Sequence, residues 1–366
     1  MPRARRSRLR ASRLTLVTLL SGQPASAVPG DAPRIVRVGP ALRALALARL
    51  LGTRPGDSAI ADFERDTLAA GSHFDAFWCT LSSAGRPIQA ALAVPSPGRT
   101  AMIFVSPDDL VGIRAKGELA RFAGAPAIAD RAALLRHAAA ALRRDLAEPG
   151  AAPLPQFALA QALLEPDQRD LFDSFRAGGF EHLADLAYMR RDLPRKPLFS
   201  PAPLPPDAQL IPCADLPPAQ ADTLLARALE RSYEGTLDCP ALCDLRHIDD
   251  VVASHRAVGA FDPRLWRLLL VEGEAAGCVL MTSCPEQASV ELVYLGLAPA
   301  ARGRGLAKLL LHTAINALAG RPEKSLACAV DEANTPALNL YQGCGFKSFA
   351  RRRALVCPLR GRNAGS

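Results

Sequence analysis

The residues best suited to chemistry lie in the stretch Ala301-Arg302-Gly303-Arg304-Gly305-Leu306-Ala307-Lys308. A strand-like run, Val290 to Leu297, precedes it, and a helix-like run ending at Gly320 follows. A strand that stops, a turn with two glycines and a helix that starts there gather free backbone N–H groups and the positive end of a helix dipole around one point. Gly303 and Gly305 let an anion approach the main chain, so the chemistry indicated is phosphate binding. Two nucleotide loops are excluded by spacing. A P-loop needs Gly-Lys-Ser/Thr, whereas Lys308 stands between Ala307 and Leu309. A dinucleotide fingerprint needs a third Gly or Ala where Lys308 stands, although Asp331, at the end of the next strand-like run, mimics its ribose-binding acid.

The elements that position this turn repeat along the chain. Arg34 to Val38 reads as a strand, with helices from Ala41 and over Ser58 to Ala70. Strand-like runs from His73, Pro87 and Thr100 follow, then a long Gly- and Ala-rich loop and a helix closed by Pro149-Gly150. A strand from Gln156, a helix from Pro166 and a strand from Phe180 complete the half. Six prolines between Leu193 and Pro206 preclude regular structure and mark a linker. The second half has the same order: strand from Gln209, two helices, a hairpin turned at Glu272-Gly273-Glu274, the strand before the glycine turn, helix, strand, helix and a closing strand pair over Phe346 to Val356. The expected domains are a segment 1–32, a first domain 33–193, the linker 194–207 and a second domain 208–360. The fold class is α/β (α+β), two tandem domains, each a mixed, largely antiparallel sheet flanked by helices.

With 366 residues and 49% apolar content, each half is long enough for its own core. The net charge of +8 suggests a polyanionic partner until Arg3, Arg5, Arg6, Arg8, Arg10 and Arg13 are set aside, which leaves about +2, so nucleic acid is not expected. The first 27 residues combine a basic region, a short apolar run and Ala25-Ser26-Ala27, the pattern of a secretory signal. A disordered basic tail or a start site upstream of the true one is the preferred reading, with a cytoplasmic protein, and export is the alternative. The nine cysteines lack zinc-site spacing beyond Cys239 and Cys243, so buried free thiols and no metal are expected, and no run is long enough to span a membrane.

Arg302-x-x-Gly305-x-Ala307 after a strand, with Asn334-x-x-Ala337-x-x-Leu340-Tyr341 and Gly345-Phe346 beyond it, resembles the two signature motifs of the GNAT superfamily of acyl-CoA-dependent N-acyltransferases. The resemblance covers roughly residues 209 to 357, and the first half looks like a degenerate second copy. It implies acetyl-CoA as co-substrate, its pyrophosphate wrapped by Arg302, Gly303, Arg304, Gly305, Leu306 and Ala307 with Lys308 nearby. Asn334 would cap its helix and touch the CoA arm, and the acyl group would lie against the main chain of Leu295, Gly296 and Leu297. Glu291 interrupts an apolar strand. In some family members a glutamate here is the general base, while a strand-end glutamate facing solvent is the other reading. Tyr341 matches the family tyrosine that protonates the leaving thiolate, or it packs its helix. Tyr233, Glu234 and Asp238 stand where the family lines its acceptor cleft, and a capped loop explains them equally.

The implied activity is transfer of an acetyl group to a primary amine on a small molecule or peptide. Alternatives are acetylation of a small cysteinyl acceptor, as in mycothiol synthase, and a non-catalytic acyl-CoA sensor. A monomer and a homodimer are both compatible. In the first half Phe175 stands where Tyr341 stands in the second and no glycine turn opens the helix, so this half is expected not to bind acyl-CoA.

Overall fold

The computed structural model describes residues 34–69, 73–107, 125–144, 154–201 and 203–360. The first half of the chain runs β1 (Arg34–Arg37), α1 (Pro40–Leu50), α2 (Ser58–Ala69), β2 (Phe77–Leu81), β3 (Pro87–Ser96), β4 (Thr100–Val105), α3 (Ala125–Arg143), β5 (Leu159–Leu164), α4 (Arg169–Ala177) and β6 (Glu181–Asp192). The second runs β7 (Ala208–Pro212), α5 (Pro218–Tyr233), α6 (Ile248–Arg256), β8 (Trp266–Val271), β9 (Glu274–Cys284), β10 (Ser289–Leu297), α7 (Leu306–Ala317), β11 (Ser325–Asp331), α8 (Thr335–Gly343) and β12 (Lys347–Pro358). The two halves share one order of strands and helices. Most of the Gly- and Ala-rich loop before α3, and the Pro149-Gly150 stop expected after it, lie outside the described residues.

The chain forms two compact units that do not follow this linear division. One takes in the described residues up to Val94, with Ile103–Pro155 and Arg169–Gly179; the other takes in Pro95–Met102, Gln156–Gln168 and the described residues from Phe180. In the first, β1, β2 and β3 pair antiparallel, with Val36 opposite Cys79 and Cys79 opposite Ala90. Pro40 presets the first turn of α1, which buries Ala46, Leu47 and Leu50 beside Phe77 and Leu92. Arg131 of α3 is buried and donates Nη1 to Ser174 Oγ (2.8 Å), which itself donates to Asp170 O (2.6 Å), so α3 and α4 are tied inside the unit.

In the second unit the strand order is β5-β12-β6-β11-β10-β9-β8-β7. All these pairs are antiparallel except β10 with β11. The sheet is therefore open and mostly antiparallel, with helices packed against it. β6 precedes the proline-rich segment in sequence yet lies between β11 and β12, pairing Met189 with Cys328 and with Ser348. Beyond β6 the chain lies against α7. Leu198 and Phe199 donate their N–H groups to Asn316 Oδ1 (2.8 and 3.0 Å), and Asn316 Nδ2 returns a bond to Phe199 O (2.7 Å). The Phe199 ring stacks on His312 at 3.6 Å, so His312 is a packing residue.

One detail differs from the sequence reading. The closing strand pair is one strand, β12, held by β5 on one edge and β6 on the other, with bulges at Ser348/Ala350 and Ala354/Leu355 instead of a turn. Arg351, Arg352 and Arg353 belong to this strand and pair with Glu332, Glu165 and Asp185. The core of the unit is the buried faces of β8, β9, β10 and β11 with Leu306, Leu310, Leu311, Ala314 and Ile315 of α7. Each fully buried leucine there contributes about 2 kcal/mol before the entropy of ordering.

Candidate active site

β10 and β11 are neighbours for only three residues. Ser289, Val290 and Glu291 pair with Ser325, Leu326 and Ala327, while β10 continues to Leu297 and β11 to Asp331. Beyond Glu291 the two parallel strands part into a wedge. β9 continues to hold the other edge of β10, with Leu295 opposite Val279, Gly296 opposite Cys278 and Leu297 opposite Gly277. The wedge-facing edge of β10 thus keeps backbone groups with no strand partner among the described residues, which a ligand can use.

The glycine turn stands at the mouth of this wedge. Gly303 (φ 74°) and Gly305 (φ 75°) both adopt the left-handed conformation, and Gly305 caps α7. Among the described residues no acceptor takes the N–H of Gly303, Arg304 or Gly305, and Leu306, Ala307 and Lys308 begin the helix, where N–H groups lack intrahelical partners. An anion is what such a turn accepts.

The side chains of the turn are used otherwise than their charges suggest. Arg302 donates Nε to Leu297 O (3.0 Å), Nη1 to Gly235 O (3.1 Å), and Nη2 to Ser232 O (3.0 Å) and Glu234 O (2.7 Å). It therefore ties the end of β10 to the end of α5. Arg304 Nη2 forks onto Asp207 (3.0 and 2.7 Å). Lys308 is exposed on α7.

Glu291 sits at the vertex of the wedge, half-buried, with Thr282 as its cross-strand partner. Its carboxylate has no hydrogen bond or ion pair among the described residues, and desolvation raises its pKa above the ordinary value. Thr282 Oγ1 is buried and also without a partner. Tyr341 of α8 is buried near Cys328 and Cys344, with its ring 5.5 Å from Phe346. Burial raises its pKa well above that of a free phenol, so it carries its proton throughout the physiological range.

The segment after α5 closes against the end of β11. Asp238 Oδ1 accepts the N–H of Asp331 (3.0 Å), and Asp238 also takes a hydrogen bond from Asn334. Asp331 returns the contact by accepting the N–H of Cys239 (3.2 Å), and it accepts that of Ala333 (2.9 Å). Asn334 Oδ1 caps α8 through the Ala337 N–H (3.2 Å). Asp238 is accordingly a latch, and desolvation raises its pKa. Tyr233 packs edge-on against Tyr294 at 5.9 Å, and Glu234 supplies a carbonyl to Arg302.

Residues 232–346 match the model of the acetyltransferase (GNAT) family. This stretch is a GNAT domain. Short parts of the chain are similar to mycothiol acetyltransferases: 43% identical over 60 residues to that of Renibacterium salmoninarum (16% of this chain, 18% of the relative), and 34% over 93 residues to that of Beutenbergia cavernae (25% and 31%). The matched parts span less than a third of those relatives' length. Among solved structures, a GCN5-related N-acetyltransferase from Sphaerobacter thermophilus superposes with a TM-score of 0.52 at 17% identity, covering 90% of this chain and 96% of that one, a similarity of fold. No helix among the described residues is long and apolar enough to cross a membrane.

Several residues that shape the GNAT domain's wedge escape a motif reading. Tyr294 shares a hydrogen bond with Ser232 Oγ (2.7 Å), and a Cβ at Gly296 would lie 2.5 Å from its hydroxyl, so glycine there makes room for the ring. Tyr188 of β6 lies near Glu291. The chain has only four tyrosines, and Tyr188, Tyr233, Tyr294 and Tyr341 all fall in this unit. That concentration was the available signal.

Proposed function

We propose that this protein transfers an acetyl group from acetyl-CoA to a primary amine by direct attack. The observation that carries this reading is the parting of β10 and β11 beyond Glu291, with the unspent amides of the glycine turn at the mouth of the opening. The CoA pyrophosphate would take the amides of Gly303 to Lys308, and the thioester would lie against Leu295, Gly296 and Leu297. Arg302 and Arg304 would support the turn from behind. At the vertex the Glu291 carboxylate, alone or through a water held with Thr282 Oγ1, takes a proton from the amine as its nitrogen attacks the thioester carbonyl carbon. The carbon–sulfur bond then breaks, and Tyr341 gives its proton to the departing thiolate. Glu291 is suited to this because burial raises its pKa toward the working pH.

The short similarity to mycothiol acetyltransferases favours a second reading of the acceptor, a small cysteinyl amine. Calorimetric titration with acetyl-CoA tests the main reading. A Cβ at Gly305 meets nothing within 4 Å, so Gly305→Val acts through the backbone, where a β-branched residue at φ 75° is strained by more than the ~1–2 kcal/mol of an ordinary side chain. The variant is expected to stay folded, with its amides turned away and its affinity for acetyl-CoA lost. Unchanged affinity removes the turn from the site.

A further inference from the structure

Arg246, just before α6, carries a positive charge that no ion pair among the described residues neutralises. Its side chain is half-buried and its Nε is enclosed without an acceptor. Nη1 has a single long bond, to Ser254 Oγ at 3.3 Å. The neighbouring acid, Asp250, is committed elsewhere: both of its oxygens are held by Arg99, through Nε at 2.7 and 2.9 Å and through Nη2. No carboxylate among the described residues comes within ion-pair distance of Arg246, and burial lowers its pKa by more than nearby Tyr233 and Asp250 raise it.

The groups beside Arg246 form a path to the vertex. It lies next to Tyr233 and His255. His255 is held neutral, its pKa lowered to about 4 by burial and by Arg246, and its Nε2 is enclosed without a partner. Its ring is 5.6 Å from that of Tyr294, and Tyr294 follows Glu291 by three residues on β10, about 10 Å along a strand.

We propose that Arg246 is the anchor for a carboxylate on the acceptor, which is a small amine with its acid group at the far end, a short peptide being the simplest case. This rests on the acetyl-transfer reading above. A guanidinium is a planar fork matched to a carboxylate, and the ligand supplies the partner that the fold withholds. The spacing disfavours a free α-amino acid, whose amine and acid are adjacent.

The test uses the full chain, acetyl-CoA, and two acceptors that differ only in the charge at one end, triglycine and its C-terminal amide. Release of the CoA thiol is followed for the wild type, Arg246→Ala and Arg246→Lys. The wild type should favour the acid in kcat/KM by about tenfold or more. Arg246→Ala should bring that ratio close to one by raising KM for the acid while kcat and the kinetics of the amide hold, and Arg246→Lys should restore part of it. Acetyl-CoA titration of each variant separates misfolding from loss of the anchor. Equal use of both peptides by the wild type, a preference that survives Arg246→Ala, or no transfer to either peptide while acetyl-CoA binds, would overturn the proposal. Failure of the wild type to bind acetyl-CoA at all would instead overturn acetyl transfer itself.

Discussion

Arg302 is the residue whose role the structure changes most, and replacing it by alanine separates two readings of the glycine turn. If its charge serves a phosphate, the loss should fall on acetyl-CoA affinity. If it serves the four carbonyls of Leu297, Ser232, Glu234 and Gly235, the loss should fall on stability. The bonds to Glu234 and Gly235 are exposed, so water replaces them at little cost. Those to Leu297 and Ser232 are partly buried, and a hydrogen bond from a charged donor contributes about 1.5 kcal/mol or more each, which gives a destabilisation of about 3 kcal/mol. Denaturant unfolding should show this as a lower midpoint at constant slope. Titration under conditions where the variant is folded should show acetyl-CoA affinity within about threefold of wild type, less than the loss of a charged contact would cause. A stability loss below about 1 kcal/mol with an affinity loss above about tenfold would refute the clamp and make Arg302 a phosphate ligand.

The chemical step has two checks. Glu291→Gln should lower kcat by about 10²-fold or more with acetyl-CoA affinity intact, and the wild-type rate should fall on the acid side with a midpoint above 4.5, as the carboxylate takes up its proton. The folded state holds that proton more tightly than the unfolded chain, so wild-type stability should decline as pH rises through the raised pKa, and unfolding titrations at pH 5 and 8 should favour the glutamine variant more at pH 8. Tyr341→Phe keeps the ring against Phe346 and removes the hydroxyl, so turnover should drop by about 10²-fold with unchanged acetyl-CoA binding, and equal turnover would leave Tyr341 a packing residue.

What could be read in the sequence is what local chemistry decides. The two left-handed glycines, the Asn334 cap and the hairpin at Glu272-Gly273 each depend on a few neighbouring residues, and each stands where its residue types require. The partners of Arg302 were hidden because the carbonyls that bind Nη1 and Nη2 lie 67 to 70 residues away, at the end of another helix. A still greater distance in sequence hid the latch between Asp238 and Asp331, 93 residues apart. Arg246 and His255 carry no motif: their interest comes from the partners they lack, which only three-dimensional placement reveals.

The pairing of β6 with β11 and of β5 with β12 ties the first half of the sequence to the site in the second. β11 forms one wall of the wedge, and because β10 leaves it after Ala327, its remaining residues have no partner on that side. A wall with both edges open would fray. β6 covers the opposite edge along the whole of β11, from Ser325 opposite Asp192 to Asp331 opposite Leu186, and is itself backed by β12. β12 in turn pairs with β5, so strands from both halves of the sequence brace the wall in one continuous ladder. The far wall of the wedge is thus held from behind by a strand from the first half. In this arrangement the first half needs no glycine turn of its own to be indispensable to the second.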